Sequence, residues 1–352
     1  MISLLIPTIN RSDFIIKYLI YLKENGFQGQ VLIGDSSGHE HFCATKNFVK
    51  DFNCKFEIKQ YSHPDMYPYQ CINHMSKDIN CPYSMFIPDD DILIPNTLKR
   101  CVSFLEANPD YSGVGGVAIA CNIPFDDYNK INSVWRYSVR ELDGETATDR
   151  VYDLMRNYSV VAHSLARTEQ FKKRFPAHAD NYDMAIGNEL LPCAVLAAQG
   201  KVKMLNDLFV IRQIHQRRIL FSTIFDRILQ PHWATSTTFA IEYLAGIVAE
   251  IDSISYDEVY PVVKEAWFKY LFQGFEKSNK VKKSFWRNPD FRSAIKSISG
   301  SREIVRWLRS VNFPFFSKDD FMMPALLSPS SPYHKDFMPV YEAITKQLVI
   351  TQ

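Results

Sequence analysis

Apolar residues in the first half of the chain come in short blocks of strand length, separated by longer stretches in which they recur at helical spacing. Residues 2–6 form an apolar run that stops at Pro7, as expected of a buried strand. Thr8-Ile9-Asn10-Arg11 follows as a loop, and Ser12 or Asp13 can cap a helix. Ile15, Ile16, Leu19, Ile20 and Leu22 fall on one face of that helix, and Gly26 ends it. Val31-Leu32-Ile33-Gly34 is a second strand, running into Asp35-Ser36-Ser37-Gly38. This strand, helix, strand unit puts polar residues at the carboxyl ends of both strands, the edge where open parallel sheets bind ligands. The pattern continues with a strand at 55–60, a helix at 69–79, a strand running from Tyr83 into Asp89-Asp90-Asp91, a helix at 96–106 and a glycine-rich strand at 113–120.

Residues 122–149 show no period, and they form a long connection of the kind that often carries function. A strand is expected at 160–166, helices at 167–175 and 188–198, and a strand pair at 201–205 and 208–214. Beyond about residue 221 the blocks lengthen into amphipathic stretches such as 237–250 and 260–275. The expected organisation is an α/β domain over 1–220, its mostly parallel sheet flanked by helices, followed by a helical module over 221–352.

Composition narrows the classes. Of 352 residues, 46% are apolar, enough for a sizeable core. Forty basic residues against 39 acidic leave no global field to recruit nucleic acid, so charge recognition must be local. The seven cysteines are scattered without a CxxC spacing, which argues against a disulfide framework or zinc knuckle and for a reducing compartment. Neither a signal peptide nor a bilayer-spanning run is apparent, so a cytoplasmic protein is expected.

The acidic triplet concentrates the candidate chemistry. Three adjacent carboxylates after Met85-Phe86-Ile87 repel one another, and each shifts toward its neutral form unless a cation or hydrogen-bond donors favour ionisation. Carboxylates two positions apart at a strand end can divide the work, one holding a ribose and the other a divalent cation that neutralises a diphosphate. A haloacid-dehalogenase-type phosphohydrolase also uses a DxD at a strand end. There, however, the nucleophile strand tends to come first, whereas here three strands precede it. A catalytically silent nucleotide- or glycan-binding module is the third possibility.

With Pro7-Thr8-Ile9-Asn10-Arg11, Asp35-Ser36-Ser37 and Asp89-Asp90-Asp91 in this order, residues 1–220 resemble the GT-A nucleotide-sugar glycosyltransferases. Within them the chain looks most like the family 2-like inverting group, and like its bacterial members that open with PTxNR. The resemblance implies a Rossmann-like catalytic domain and transfer of a sugar, with UDP as the expected nucleotide, to a hydroxyl of a surface-glycan-type acceptor. It places Thr8 and Arg11 at the nucleotide base and phosphates, and Asp35 at the uracil ring, where an acceptor-only carboxylate suits an N–H donor. Asp89 would touch ribose or donor sugar, Asp90 would shape the turn, and Asp91 would ligate Mn2+ or Mg2+. Lys77 could assist a phosphate, though a solvated lysine is the simpler account.

The family also has a general base near the start of a helix after the acceptor-binding strands, and the segment from Asp180 to Leu191 matches it. The usual motif ends in Glu-Asp; this chain has Glu189-Leu190, with Asp183 six residues earlier, so the base assignment stays open between Glu189 and Asp183. His215, at the end of the last strand, corresponds to a third metal ligand in many members, and Arg217 and Arg218 could meet the diphosphate. Trp135, Arg136 and Tyr137 suit either stacking on an acceptor sugar or core packing. Basic residues interleaved with tryptophan at 280–287 and 302–309 fit a peripheral contact with the inner face of a membrane, as for a glycolipid acceptor, or exposed helix faces; helical tails of this kind also form homodimer interfaces.

Overall fold

A computed structural model describes residues 1–125, 127–177, 183–218, 222–283 and 321–346, with side chains described only to 273 in the last long helix before 283. Its elements in order are β1 (Ile2–Thr8), α1 (Ser12–Glu24), β2 (Gly29–Asp35), α2 (His39–Asp51), β3 (Glu57–Ser62), α3 (Pro68–Met75), β4 (Tyr83–Phe86), β5 (Asp91–Leu93) and α4 (Pro95–Ala107). There follow β6 (Tyr111–Asn122), β7 (Ser133–Tyr137), α5 (Ala147–Arg156), β8 (Ala166–Arg167), α6 (Thr168–Lys172), a π-helical turn (Ile186–Leu190), α7 (Leu191–Gln199) and β9 (Lys201–Ile214). The remaining helices are α8 (Ile224–Ile228), α9 (Trp233–Asp252), α10 (Tyr256–Lys283), α11 (Met323–Leu326) and α12 (His334–Thr345).

Two sheets organise the chain. The first has the order β3-β2-β1-β4-β8, parallel except for the β8 edge. Alternation in its strands sends side chains to two cores, which is why they read as continuous apolar runs. Leu4, Ile6, Val31, Ile33 and Met85 pack with Ile15, Leu19 and Leu22 of α1, while Leu5, Leu32 and Phe86 meet Ile72 and Met75 of α3. Each such fully buried side chain contributes about 1.5–3 kcal/mol. The strand order reverses between β1 and β4, opening a crevice at their carboxyl ends.

The second sheet has the order β5-β9-β6-β7. The chain leaves the first sheet at Phe86 and enters the second at Asp91, so the acidic triplet spans the junction rather than ending a strand. Residues 201–214 form one bulged strand, not a pair, because β9 runs alongside β6 throughout, with register shifts between Gly115, Val117 and Ala118. A Cβ at Gly116 would lie 2.5 Å from the Asp207 carbonyl, so only glycine allows this approach.

Other expectations shift for physical reasons. The run at 160–166 is buried but mostly not a strand: a turn closes with the Ser164 N–H donating to the Val161 carbonyl, leaving only β8 and a Leu165–Val114 bridge in strand pairing. Apolar runs of this length do not distinguish a strand from other buried backbone. The helix expected from 188 begins as α7 only at Leu191. Pro192 cannot donate to the Asn188 carbonyl, and the preceding turn widens to π geometry. The α2 helix escapes the periodicity because Thr45 is its one fully buried residue. Within the aperiodic stretch lie β7 and the start of α5.

Buried among its neighbours, α7 is apolar on every side except at Gln199. Arg150 of α5 caps it, donating from Nε to the Ala197 carbonyl and from Nη2 to that of Ala198. The Asp252 carboxylate at the end of α9 accepts the backbone N–H groups of Ala147 and Thr148, at the positive end of α5. The helices α9 and α10 therefore pack directly on α5 and α7, with Trp267 fully buried. Phe337, Val340 and Ile344 of α12 join the core on the α1 side. Among the described residues no helix is long and apolar enough to cross a membrane. The basic segment 302–309 lies outside the described residues, as does all of 280–287 except backbone to 283.

Candidate active site

At the crevice between β1 and β4 lies a cavity of about 380 Å3 lined by Arg11, the triplet, Tyr137, His163, Glu189, Arg212 and Arg218, among others. Asn10 sets up its floor. Its backbone is left-handed (φ 52°), a conformation asparagine tolerates, and its side chain accepts the Gly38 N–H while its own N–H donates to Ser37 Oγ. The loops after β1 and β2 are thereby tied together, and Arg11 turns toward the triplet.

All three carboxylates are buried. Arg11 Nη1 donates to Asp89 Oδ1 at 2.7 Å and to Asp90 Oδ2 at 3.0 Å, and Thr8 Oγ1 donates to Asp89 Oδ2 at 2.6 Å. Gln213 Nε2 donates to the Asp90 carbonyl, and the Gln213 N–H donates to Asp91 Oδ1. Arg212 Nε stands 3.3 Å from Asp91 Oδ2, with its guanidinium 4.6 Å from the Tyr137 ring centroid. Burial and the neighbouring Asp90 charge push Asp89 up to about 7 against the pull of Arg11. Burial likewise pushes Asp91 up to about 7. For Asp90 burial acts the same way, but the His215 hydrogen bond and the Arg11 charge outweigh it and hold that carboxyl below its ordinary value.

His215 Nε2 is 3.1 Å from Asp90 Oδ2, and the ring stacks on Phe14 at 5.0 Å. With the Nε2 proton donated to Asp90, the lone pair lies on Nδ1, which is buried and has no hydrogen-bond partner. Asp91 Oδ2 is also a buried oxygen without a hydrogen bond. Among the described residues no three His, Cys, Asp or Glu side chains form a metal-binding group. His215 Nδ1 thus has no partner and Asp91 Oδ2 only the Arg212 ion pair, so a divalent cation held by these two atoms would share the carboxylate with that arginine and take its other ligands from phosphate and water, and a carboxylate on the far nitrogen is the usual support of a metal-bound imidazole.

Glu189, in the π turn and half-buried, lines the same cleft. Tyr158 Oη donates to its Oε1 at 3.0 Å. Burial raises its carboxyl above the ordinary glutamate value, with Tyr158 and Arg212 pulling the other way. Asp183 sits apart from this lining. It is buried, accepts the Ile186 N–H, and is held by Arg227 Nη2 at 2.9 Å.

Asp35 ends β2 buried, with Oδ1 accepting the Ser37 N–H and Oδ2 accepting from Gln60 Nε2. Lys77 is exposed on a 3-10 turn. Arg217 turns away to pair with Asp13, whereas Arg218 lines the cleft with an unpartnered Nε. Trp135 is exposed, Arg136 lies over the Phe321 ring, and Tyr137 lines the cleft. His63 pairs with His74 at 2.8 Å, and His178 lies outside the described residues.

Arg212 and Tyr158 had no assigned site role in the sequence, and His163 reads there as an acceptor-side or core residue rather than a ligand. Positions 91 and 212 are direct partners in the β5–β9 ladder, a relationship with no signature along the chain. Burial, followed by the Arg212 charge, drives the His163 imidazole down to about 3, so it stands in the wall as a neutral group, with Nδ1 unpartnered.

No protein-family model matches the sequence, and no curated protein sequence matches it. Among solved structures the chain is similar to S. aureus TarS 1-349 in complex with UDP-GlcNAc, at 14% identity and a TM-score of 0.52, over 85% of this chain and 81% of that one. It is also similar to TarS 1-349 in complex with UDP, at 14% identity and a TM-score of 0.48, over 78% and 72%. Against another TarS crystal structure the identity is 14% and the TM-score 0.48, over 77% of this chain but only 43% of that one, so this chain spans less than half of that length.

Proposed function

From a fold of the GT-A-like glycosyltransferase kind, we propose that this protein is a metal-dependent inverting glycosyltransferase, moving a sugar from a UDP-sugar to a hydroxyl of a surface-glycan-type acceptor, a glycan or glycolipid. The observation that carries the proposal is that the triplet and Glu189 line one cleft, at the reversal of strand order. The TarS 1-349 structure in complex with UDP-GlcNAc supports the choice of nucleotide.

In this reading Thr8 and Arg11 hold the floor of the nucleotide site, and Asp35 meets the base. Asp89 and Asp90 are bridged by the Arg11 guanidinium, which fixes both at the cleft. Asp91 and His215 would hold Mn2+ or Mg2+, which supplies positive charge to the leaving diphosphate. Arg218, with its Nε unpartnered in the cleft, adds a second positive contact for phosphate.

Glu189 is assigned the base because it lines the cleft, whereas Asp183 is committed to Arg227. Its carboxylate takes the proton of the acceptor hydroxyl as that oxygen bonds to the anomeric carbon. The bond from that carbon to the diphosphate oxygen breaks, its electron pair leaving with the diphosphate, and the configuration inverts. Burial makes the ionised Glu189 a stronger base than an exposed glutamate.

A phosphohydrolase has no support in this fold, where the triplet follows the fourth strand rather than the first. The test is calorimetry with UDP and a panel of UDP-sugars, with and without Mn2+, followed by turnover. Metal-enhanced UDP binding and release of UDP from one sugar donor are expected. Binding with no turnover of any donor would leave a silent binding module, and absence of UDP binding would overturn the proposal.

A further inference from the structure

Three residues beyond the cleft connect Glu189 to the helices that follow the sheets. Tyr158 is half-buried, and its hydroxyl donates to Glu189 Oε1 at 3.0 Å, with Cys193 Sγ as a second neighbour at 3.7 Å. The Tyr270 ring of α10 packs edge-on against Tyr158, with centroids 4.8 Å apart. Arg227 of α8 lies near enough to Tyr270 to act on its hydroxyl electrostatically and holds Asp183 at 2.9 Å, while its guanidinium lies 4.9 Å from the Trp233 ring centroid. Asp183 in turn accepts the Ile186 N–H at the start of the π turn. Arg227 thus grips the Glu189 segment at its origin, while Tyr270 of α10 packs on the tyrosine that holds the carboxylate.

We infer that Tyr158 and Arg227 are positioning residues for Glu189, and that α8 and α10 serve to aim it at the cleft. The inference rests on the assignment of Glu189 as the base. With Oε1 occupied by the tyrosine proton, Oε2 is the oxygen left to face a substrate hydroxyl. A carboxylate on a π turn, where the backbone ladder is interrupted, would otherwise sample several rotamers. The groups facing it are Tyr158, Tyr137 and Tyr270, the Cys193 thiol, and the guanidinium groups of Arg212 and Arg227. Burial favours the neutral acid, whereas Tyr158, Arg212 and Arg227 favour the ionised form that accepts a proton.

The test uses the full chain. The Glu189 titration is followed by carboxyl 13C NMR as the difference from Glu189→Gln, alongside the pH profile of UDP-GlcNAc cleavage and the affinity for UDP. Tyr158→Phe keeps the ring and removes the donor; its Glu189 midpoint is expected to rise by about one pH unit, the scale of a hydrogen bond to a charged group. The low-pH limb of cleavage should move with it, with UDP affinity unchanged. Arg227→Gln should shift the midpoint the same way. If it unfolds because Asp183 is left unpaired, Asp183→Asn/Arg227→Gln removes that charge and provides the same readout. A Glu189 midpoint that stays in place in both the tyrosine and arginine variants overturns the inference. Cleavage that survives Glu189→Gln removes the base assignment instead, whatever the midpoint does.

Discussion

Arg11 Nη1 bridges Asp89 and Asp90, 2.7 Å from one carboxylate and 3.0 Å from the other, in a site where all three side chains are buried. Replacing one partner of such a cluster leaves an uncompensated charge, which costs about 3–5 kcal/mol. Arg11→Met is therefore expected to lower the melting temperature strongly at pH 8 and much less at pH 5, where Asp89, pushed up to about 7 even with Arg11 present, takes a proton. Equal losses at both pH values would show that the arginine acts by packing rather than charge.

Asp91→Asn keeps the side-chain shape but removes the carboxylate that pairs with Arg212 at 3.3 Å, so a lower melting temperature is expected alongside its effect on the metal. The Mn2+ enhancement of UDP binding should disappear while metal-free binding persists. Calorimetry of UDP with and without Mn2+ decides this, and an unchanged metal effect would move the cation elsewhere.

Glu189→Gln is expected to slow release of UDP from a competent donor by about 100-fold or more, the usual worth of a positioned general base. UDP affinity should hold within about twofold, because Glu189 is bonded to Tyr158 and takes no part in the hydrogen bonds that join Thr8, Arg11 and the triplet. A normal rate would return the role to Asp183.

His163 gives a pH signature of stability. Its folded value is depressed to about 3 from 6.5, so the unfolded chain binds the extra proton between those limits and folded stability falls as pH drops through that window. Asp89 and Asp91, raised to about 7, act oppositely: the folded chain retains protons that the unfolded chain releases above 3.8, and stability falls as pH rises. Thermal melts of the wild type against His163→Gln isolate the histidine. The variant should gain relative stability from pH 7.5 to pH 5, and parallel curves would contradict a buried neutral imidazole.

Gly116→Ala should destabilise by roughly 1–3 kcal/mol, as overpacking does, because its Cβ would fall 2.5 Å from a backbone carbonyl that cannot rotate away. Chemical denaturation measures it; a shift below about 0.5 kcal/mol would mean that the β6–β9 bulge can relax.

The sequence by itself determined most of the sheet and the place to look for chemistry. Strands β1, β2 and β4 are short buried runs, and helix α1 shows its apolar face by spacing, because these elements meet the core through their own periodicity. The order of Thr8, Arg11, Asp35 and the triplet was legible for the same reason: each lies at or just beyond the end of a strand, and strand ends are visible as breaks in the apolar pattern. Residues that act across the fold were not. Arg212 faces Asp91 only because β9 pairs with β5, and Arg227 reaches Asp183 only because the chain brings α8 back beside the residue that precedes the π turn. Tertiary structure alone also divided the carboxylates, directing Asp183 to Arg227 and Glu189 to the cleft. Both are acids near one helix start, and only the position of a distant guanidinium tells them apart.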